Sequence, residues 1–313
     1  MNRAGRARPA HTDATRAWLI DASIYIFRAW FSLPDQWHSP QGYPLNAVYG
    51  YTRFLLDFLQ RTAGTHYYVA AFDESLGTNY RNAIYTQYKS SRVLPDEALA
   101  FQLVACREVT ERLGLPCFAG ALYEADDYLA TLARRFQRRN VPVTVVTRDK
   151  DLGQLLRNEQ DYWWDYARDE RLCASGFESR FEVRPDQLAD YLALVGDAVD
   201  DIPGVPGVGP KTAAALLKAF GSLDNMERDL CQVASLDLRG AARVCEVLQS
   251  HWPQVRMARR LTGLEECIPG LAPVRTFSLA AGKLSGLADY LAALGLQGPL
   301  TQRCERLAAQ VQA

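Results

Sequence analysis

Three short apolar runs, each closing at or just before an aspartate, constrain this chain more than any other feature. Trp18-Leu-Ile20 ends at Asp21, Tyr67 to Phe72 ends at Asp73, and Pro142 to Val146 stops just short of Asp149. Each run is rich in valine, isoleucine or aromatic side chains, the composition of a strand buried on both faces. Between them the spacing of apolar residues predicts helices over Ala47 to Gln60, Glu97 to Leu113 and Glu124 to Arg139. Strands alternating with helices imply an α/β fold with a parallel sheet covered by helices. Ligands of such sheets bind beyond the carboxyl ends of the strands, so acids from distant segments are expected to meet at one edge.

Those acids belong to a set of nine: Asp21, Asp73, Glu124, Asp126, Asp127, Asp149, Asp151, Asp197 and Asp200. Drawn together they would repel one another and could not all ionise unless divalent cations neutralised them. Any one of them has a plainer reading as a helix cap, since Asp21, Glu124 and Asp149 each precede a helical pattern. Capping does not require Asp127 or Asp151, so the set as a whole points to metal-dependent chemistry on a polyanion. Two cations about 3.5–4 Å apart would act on the entering and leaving oxygens of a phosphodiester. Magnesium suits all-oxygen ligation and keeps several waters, so some carboxylates would act through water.

The last acids run into Ile202-Pro-Gly204-Val-Pro-Gly207-Val-Gly209-Pro-Lys211-Thr212. Gly207 and Gly209 permit a tight turn that exposes backbone amides, and the helix opening at Lys211 and Thr212 offers its N-terminus to phosphate. Such contacts would position a duplex without reading its sequence; a plain turn between two helices is the alternative. A third element pairs cations with aromatics. If Asn79 to Lys89 is helical, Arg81, Tyr85, Tyr88, Lys89 and Arg92 share one side and suit a single strand, whose bases stack on rings. A solvated helix with buried tyrosines would read the same way.

With 313 residues, 48% of them hydrophobic, the chain can bury a core in two domains, and the boundary is expected near residue 180, where glycine and proline begin to break up the helices. There is no long internal repeat. No apolar run reaches the roughly 20 residues of a membrane span and no apolar leader opens the chain, so no membrane partner and a cytoplasmic location are expected. Residues 1–16, with Arg3, Arg6, Arg8 and Arg16, read as a flexible basic tail. The seven cysteines never form a C-x-x-C pair and the four histidines are not spaced as ligands, which excludes a zinc site and leaves oxygen donors. Formal charge is -1, but without the nine acids the remainder carries +8, so the surface left over is basic. Of 35 basic residues only five are lysines, and Lys89, Lys150 and Lys211 lie inside these motifs, where a compact ammonium is of use.

The runs Leu19-Ile-Asp21-Ala-Ser, Phe72-Asp73, Tyr88-Lys-Ser-Ser-Arg92, Glu124-Ala-Asp-Asp127, Thr147-Arg-Asp-Lys-Asp151 and Gly196 to Thr212 together resemble the bacterial 5'-3' exonuclease and flap endonuclease family. The likeness extends from about residue 17 to 296 and is nearest to the N-terminal nuclease domain of DNA polymerase I; with no polymerase-length extension, it implies a free-standing nuclease. The resemblance implies a PIN-like catalytic core over 17–180 with a helical arch, and a helical DNA-binding domain over 181–313 whose helix-three-turn-helix motif spans about 185–222. It assigns Asp21, Asp73, Glu124 and Asp126 to one magnesium ion, and Asp127, Asp149, Asp151 and Asp197, with Asp200 nearby, to a second. Manganese would substitute, and hairpin carbonyls in the family often hold potassium. Lys89 and Arg92 would stabilise charge on the phosphate being cut, with Arg81 on the same element, and Tyr88 would stack on the flanking base. The implied activity is removal of 5' nucleotides or flaps from DNA with flaps, nicks or ends, leaving 5'-phosphates, by a monomer working at the nucleoid.

Three positions depart from the family's pattern. Arg148 replaces a usual glycine and is expected to set a cation beside the second metal; Asp201 replaces a common asparagine and adds an acid near Asp200; Asn46 replaces a frequent glycine before Ala47. The complete acid set argues against an inactive DNA-binding relative. A PIN-class ribonuclease would not require the hairpin, and an aspartyl phosphatase would want a second acid close after Asp21.

Overall fold

The computed structural model describes residues 15–312. Residues 1–14 of the tail expected over 1–16 lie outside them, but Arg16 does not belong to a loose end. Its guanidinium donates to the carbonyls of Val143 and Gln160 (3.0 and 2.9 Å) and to the Thr144 hydroxyl (3.0 Å), pinning the start of the first strand.

The first part of the chain runs β1 (Ala17–Asp21), α1 (Ala22–Ser32), α2 (Asn46–Arg61), β2 (His66–Ala71), α3 (Tyr80–Ile84), α4 (Glu97–Arg112), β3 (Cys117–Phe118), α5 (Ala125–Gln137), β4 (Val143–Val146), β5 (Tyr162–Asp165), β6 (Glu170–Leu172) and α6 (Ala174–Phe181). The strands lie in the order β3-β2-β1-β4-β5-β6, parallel except at β6. Side chains alternate between the two faces, as the period of two requires. Trp18 and Ile20 join the core with α1, α2 and α4, whereas Ala17 and Leu19 face α5. Leu19 and Ile20 are completely buried; each such side chain stabilises the fold by about 1.5–3 kcal/mol.

The second part forms α7 (Leu188–Val195), α8 (Pro210–Phe220), α9 (Leu223–Arg228) and α10 (Ala241–Thr262) around a third core containing Leu194, Leu216, Met226 and Val255. It does not continue to the end of the chain, which corrects the expectation of one helical domain over 181–313. Thr276–Phe277 forms β7, antiparallel to β2, and α11 (Ala281–Leu294) and α12 (Pro299–Gln312) return to the sheet. Leu284, Leu291, Leu300 and Leu307 are buried in the same core as Trp18 and Tyr51, because that face of α2 and α4 is apolar and needs cover.

The expected arch is also corrected. Between β2 and α4 only the five residues of α3 are helical, and α4 itself packs on α2 and α11. Asn79 to Lys89 is not one helix: after Ile84 the chain passes through turns, and Lys89 has φ +53°. Asn46 closes the base of the core. Its amide donates to the carbonyls of Trp30 (2.9 Å) and Leu33 (3.3 Å) and accepts from Gln102, whose own oxygen caps the Ala47 amide (2.7 Å).

Candidate active site

Parallel register brings the ends of the central strands level: Asp21 lies opposite Ala71 of β2, and Ile20 opposite Val146 of β4. Asp21, Asp73 and Asp149 therefore emerge along one edge. Thr147 ties two of them together, its hydroxyl donating to Asp21 (2.8 Å) and accepting from the Asp149 amide (2.9 Å). Asp73 is fixed by the Ser75 hydroxyl (2.9 Å), while its amide donates to Ser23 (2.9 Å). Asp149 accepts from the Asp151 amide (2.9 Å) at the start of a 3-10 helix, Lys150–Leu155. Thr147, Ser23 and Ser75 were not among the expected site residues; Thr147 and Ser23 lay in motifs that could have signalled them, whereas Ser75 did not.

Burial, reinforced by neighbouring carboxylates, raises the pKa of several of these acids. Burial pushes Asp21 up to about 7, opposed by its Thr147 hydrogen bond and reinforced by Asp149 and Asp73. Burial raises Asp126 as well, with Asp149, Asp21 and Glu124 adding to it. Asp151 is pushed up to about 8 by burial and then by Asp149, with Asp197 and Asp200 contributing. These mutual effects link residues from β1, α5, the 3-10 helix and the loop after α7 into a single field.

Lys89 and Arg92 reach into that field. The Lys89 ammonium donates to Glu124 (2.6 Å) and lies 3.8 Å from Asp200; the Arg92 guanidinium holds Asp200 at 2.5 Å. Asp197 turns one oxygen to the Val199 amide (2.8 Å). Asp201 stays out of the cluster: its carboxylate caps the Ser91 amide (2.8 Å), from a left-handed backbone conformation (φ +56°) that asparagine adopts readily.

Four expected roles need correction. Asp127 is not available to an ion as it stands. It is fully buried, paired by both oxygens with Arg81 (2.7 Å each), and also accepts the amides of Glu124 (3.1 Å) and Glu265 (2.9 Å). Arg81, 1% exposed, spends its other donors on the carbonyls of Leu261 (2.8 Å) and Gly263 (2.9 Å), so it joins α5 to the end of α10 and faces no strand. Tyr88 is 3% exposed, packs in the third core and donates to Glu124 (3.1 Å), so its ring is not free to stack on a base. Arg148 turns from the acids toward Asp165 (3.4 Å).

The hairpin joins α7 to α8. Gly204 packs so tightly on α7 that an added Cβ would lie 2.2 Å from the Val195 carbonyl oxygen, which fixes the turn. Gly207 (φ +79°) and Gly209 face open space, and Lys211 is exposed on the first turn of α8 with Thr212 beside it. The amides at this helix start are thus accessible from outside.

The donor set fits hard cations. It consists of oxygens, and Asp151 keeps a buried Oδ1 with no hydrogen-bond partner. Among the described residues no three acids close tightly enough to hold an ion unaided. Ligation partly through water meets both observations, since magnesium commonly takes one or two carboxylates and retains waters.

Residues 16–182 match the family model for the 5'-3' exonuclease N-terminal resolvase-like domain, and residues 183–282 match its C-terminal SAM fold. The chain belongs to the 5'-3' exonuclease family. A 5'-3' exonuclease of Aquifex aeolicus is 37% identical over 209 residues, covering 67% of this chain and 71% of that protein. DNA polymerase I of Rhizobium leguminosarum is 33% identical over 258 residues, 80% of this chain; the chain spans only 25% of that polymerase. Two solved structures share its fold. One is the T5 5'-exonuclease with divalent zinc ions bound (TM-score 0.62, 16% identity, covering 96% of this chain and 100% of that one). The other is the catalytic core of Rad2 in complex with DNA substrate (TM-score 0.64, 16% identity, 97% and 95%). In this chain no helix among the described residues is long and apolar enough to cross a membrane.

Proposed function

We propose that the chain is a structure-specific 5' nuclease that hydrolyses DNA at 5' ends, nicks or flaps and leaves 5'-phosphates. The observation that carries this reading is the field of buried and half-buried acids at the sheet edge, Asp21, Asp126 and Asp151 among them with raised pKa values, with Lys89 and Arg92 set into it. We assign Asp21, Asp73, Glu124 and Asp126 to one magnesium ion and Asp149, Asp151, Asp197 and Asp200 to a second, with manganese able to substitute. When bound, such a pair activates water and stabilises the leaving oxygen.

The chain's own residues do the positioning. Thr147 and Ser75 hold Asp21 and Asp73 in place for the incoming charge. Lys89 and Arg92, which reach Glu124 and Asp200 at the edge of the field, would stabilise charge on the phosphate being cut. The hairpin amides at Gly207 and Gly209, with Lys211 and Thr212, grip the duplex backbone and set its reach to the acids; hairpin carbonyls would hold a potassium ion. The protein works as a monomer in the cytoplasm.

The test is a labelled 5' flap, a nicked duplex and a single-stranded RNA, each incubated with magnesium or with chelator. Release of 5'-phosphorylated DNA fragments in magnesium alone is expected. Cutting of RNA only, or cutting in chelator, would sink the reading.

A further inference from the structure

Next to the acids, between the ends of β4 and β5, β6 and α6, lies a cleft of about 420 Å³. Arg148, Lys150, Arg168 and Arg180 line it, beside Trp163 and Phe181. Asp149 lines it too, and so belongs both to the cleft and to the acid field. We infer that this cleft holds a phosphate of the bound nucleic acid strand, adjacent to the phosphodiester at the acids; the inference rests on the nuclease reading above.

Charge balance is the first reason. Apart from Asp149, the cleft's acids are Asp165 and Glu170, against four cations. Asp165 is nearly consumed: one oxygen accepts the amides of Ala167 (3.0 Å) and Arg168 (3.2 Å), and the other faces two guanidiniums, Arg148 at 3.4 Å and Arg168 at 3.8 Å. One carboxylate between two arginines leaves a positive charge uncompensated. Arg180 lies 3.4 Å from Glu170.

Availability is the second. The plainer reading is a set of ion pairs, but the exposed Arg180–Glu170 pair (56% and 32%) contributes only about 0–1 kcal/mol, and the buried Asp165 keeps the Ala167 and Arg168 amides and the Arg168 guanidinium when Arg148 turns to another partner. A phosphate offering several acceptor oxygens to planar guanidinium forks replaces them at small cost. Location is the third reason. A strand with one phosphate at Asp149 passes directly into the cleft, and Arg148, which stands where the family usually has glycine, supplies the cation that such a strand meets first.

The experiment measures binding of a fluorescent duplex with a 5' overhang in chelator across a salt series. It compares wild type, Arg148→Gly, Arg148→Lys, the Arg148→Gly/Arg180→Ala pair, and Arg306→Ala, an exposed α12 residue that does not line the cleft, as control. Arg148→Gly is expected to weaken binding on the order of tenfold, as loss of a charged hydrogen bond does, and to reduce the slope of log K against log salt by about 0.7–0.9, one phosphate contact. Arg148→Lys retains most of the slope, which shows that folding is intact and that charge is what matters; Arg306→Ala changes nothing. Unchanged slopes in Arg148→Gly and the double variant overturn the inference. They do so even if those variants lose inhibition by inorganic phosphate, which would make free phosphate the ligand. Cleavage by wild type run in parallel separates the two readings. Intact magnesium-dependent cutting with unchanged slopes removes only the cleft, whereas reduced slopes without cutting remove only the nuclease.

Discussion

Asp126 and Asp127 are neighbours in sequence, yet replacing each with asparagine should move stability in opposite directions. Asp127 and Arg81 form a buried ion pair through two 2.7 Å bonds, with both side chains at or below 1% exposure. Removing one partner of such a pair leaves a charge without compensation and costs about 3–5 kcal/mol, a third or more of the stability of many proteins. Glu124, 3.7 Å from Arg81, offsets part of the loss in Asp127→Asn, so the lower end of that range applies there and the upper end to Arg81→Met. Arg81→Met/Asp127→Leu should recover part of the loss, because neither charge then stays buried alone. Asp126, by contrast, is pushed up by burial and by Asp149, Asp21 and Glu124. Asp126→Asn should therefore stabilise the metal-free protein at pH 8. The assay is urea unfolding in chelator, followed by circular dichroism. A stable Asp127→Asn variant whose cutting needs far more magnesium would refute the structural role assigned to Asp127.

Three further outcomes are expected. In chelator, stability should fall as pH rises from about 4 to 8: Asp21 and Asp151 have folded pKa values of about 7 and 8, so the native state binds more protons than the unfolded chain across that window. The Asp21 shift alone corresponds to roughly 4 kcal/mol, and magnesium should flatten the curve; a metal-free melting temperature that climbs with pH would contradict this. Lys89→Ala should lower the rate of cutting by about 10²–10³ while DNA binding in chelator is retained, which single-turnover kinetics would check. Lys211→Ala should weaken binding to all sequences alike and reduce the salt slope by about 0.9; an unchanged slope would remove the hairpin from the interface.

The sheet and its edge were legible because buried parallel strands need apolar β-branched and aromatic runs, and an aspartate ending each run marks where the chain leaves the sheet. The acid-cap sequence at Glu124 was legible only in part. Successive residues of a helix point about 100° apart, so of Asp126 and Asp127 only one could face the acids, and the partner that claims the other, Arg81, lies 46 residues away in sequence. A helical pattern over Asn79 to Lys89 took no account of Lys89 in a left-handed turn held by the Asp200 carbonyl (3.0 Å). The return of α11 and α12 to the sheet left no local mark, because an apolar helix face does not state what it covers. Arg148 was expected at the second metal, but Asp165, at the end of β5, gives it a nearer partner.

The acid field as a divalent-cation site is tested most directly by counting manganese ions bound at neutral pH, by calorimetry or electron paramagnetic resonance, in wild type and in Asp151→Asn. Two saturable sites in wild type and one in the variant are expected. No saturable binding in wild type, or an unchanged count when the unpartnered Asp151 oxygen is lost, would contradict the account.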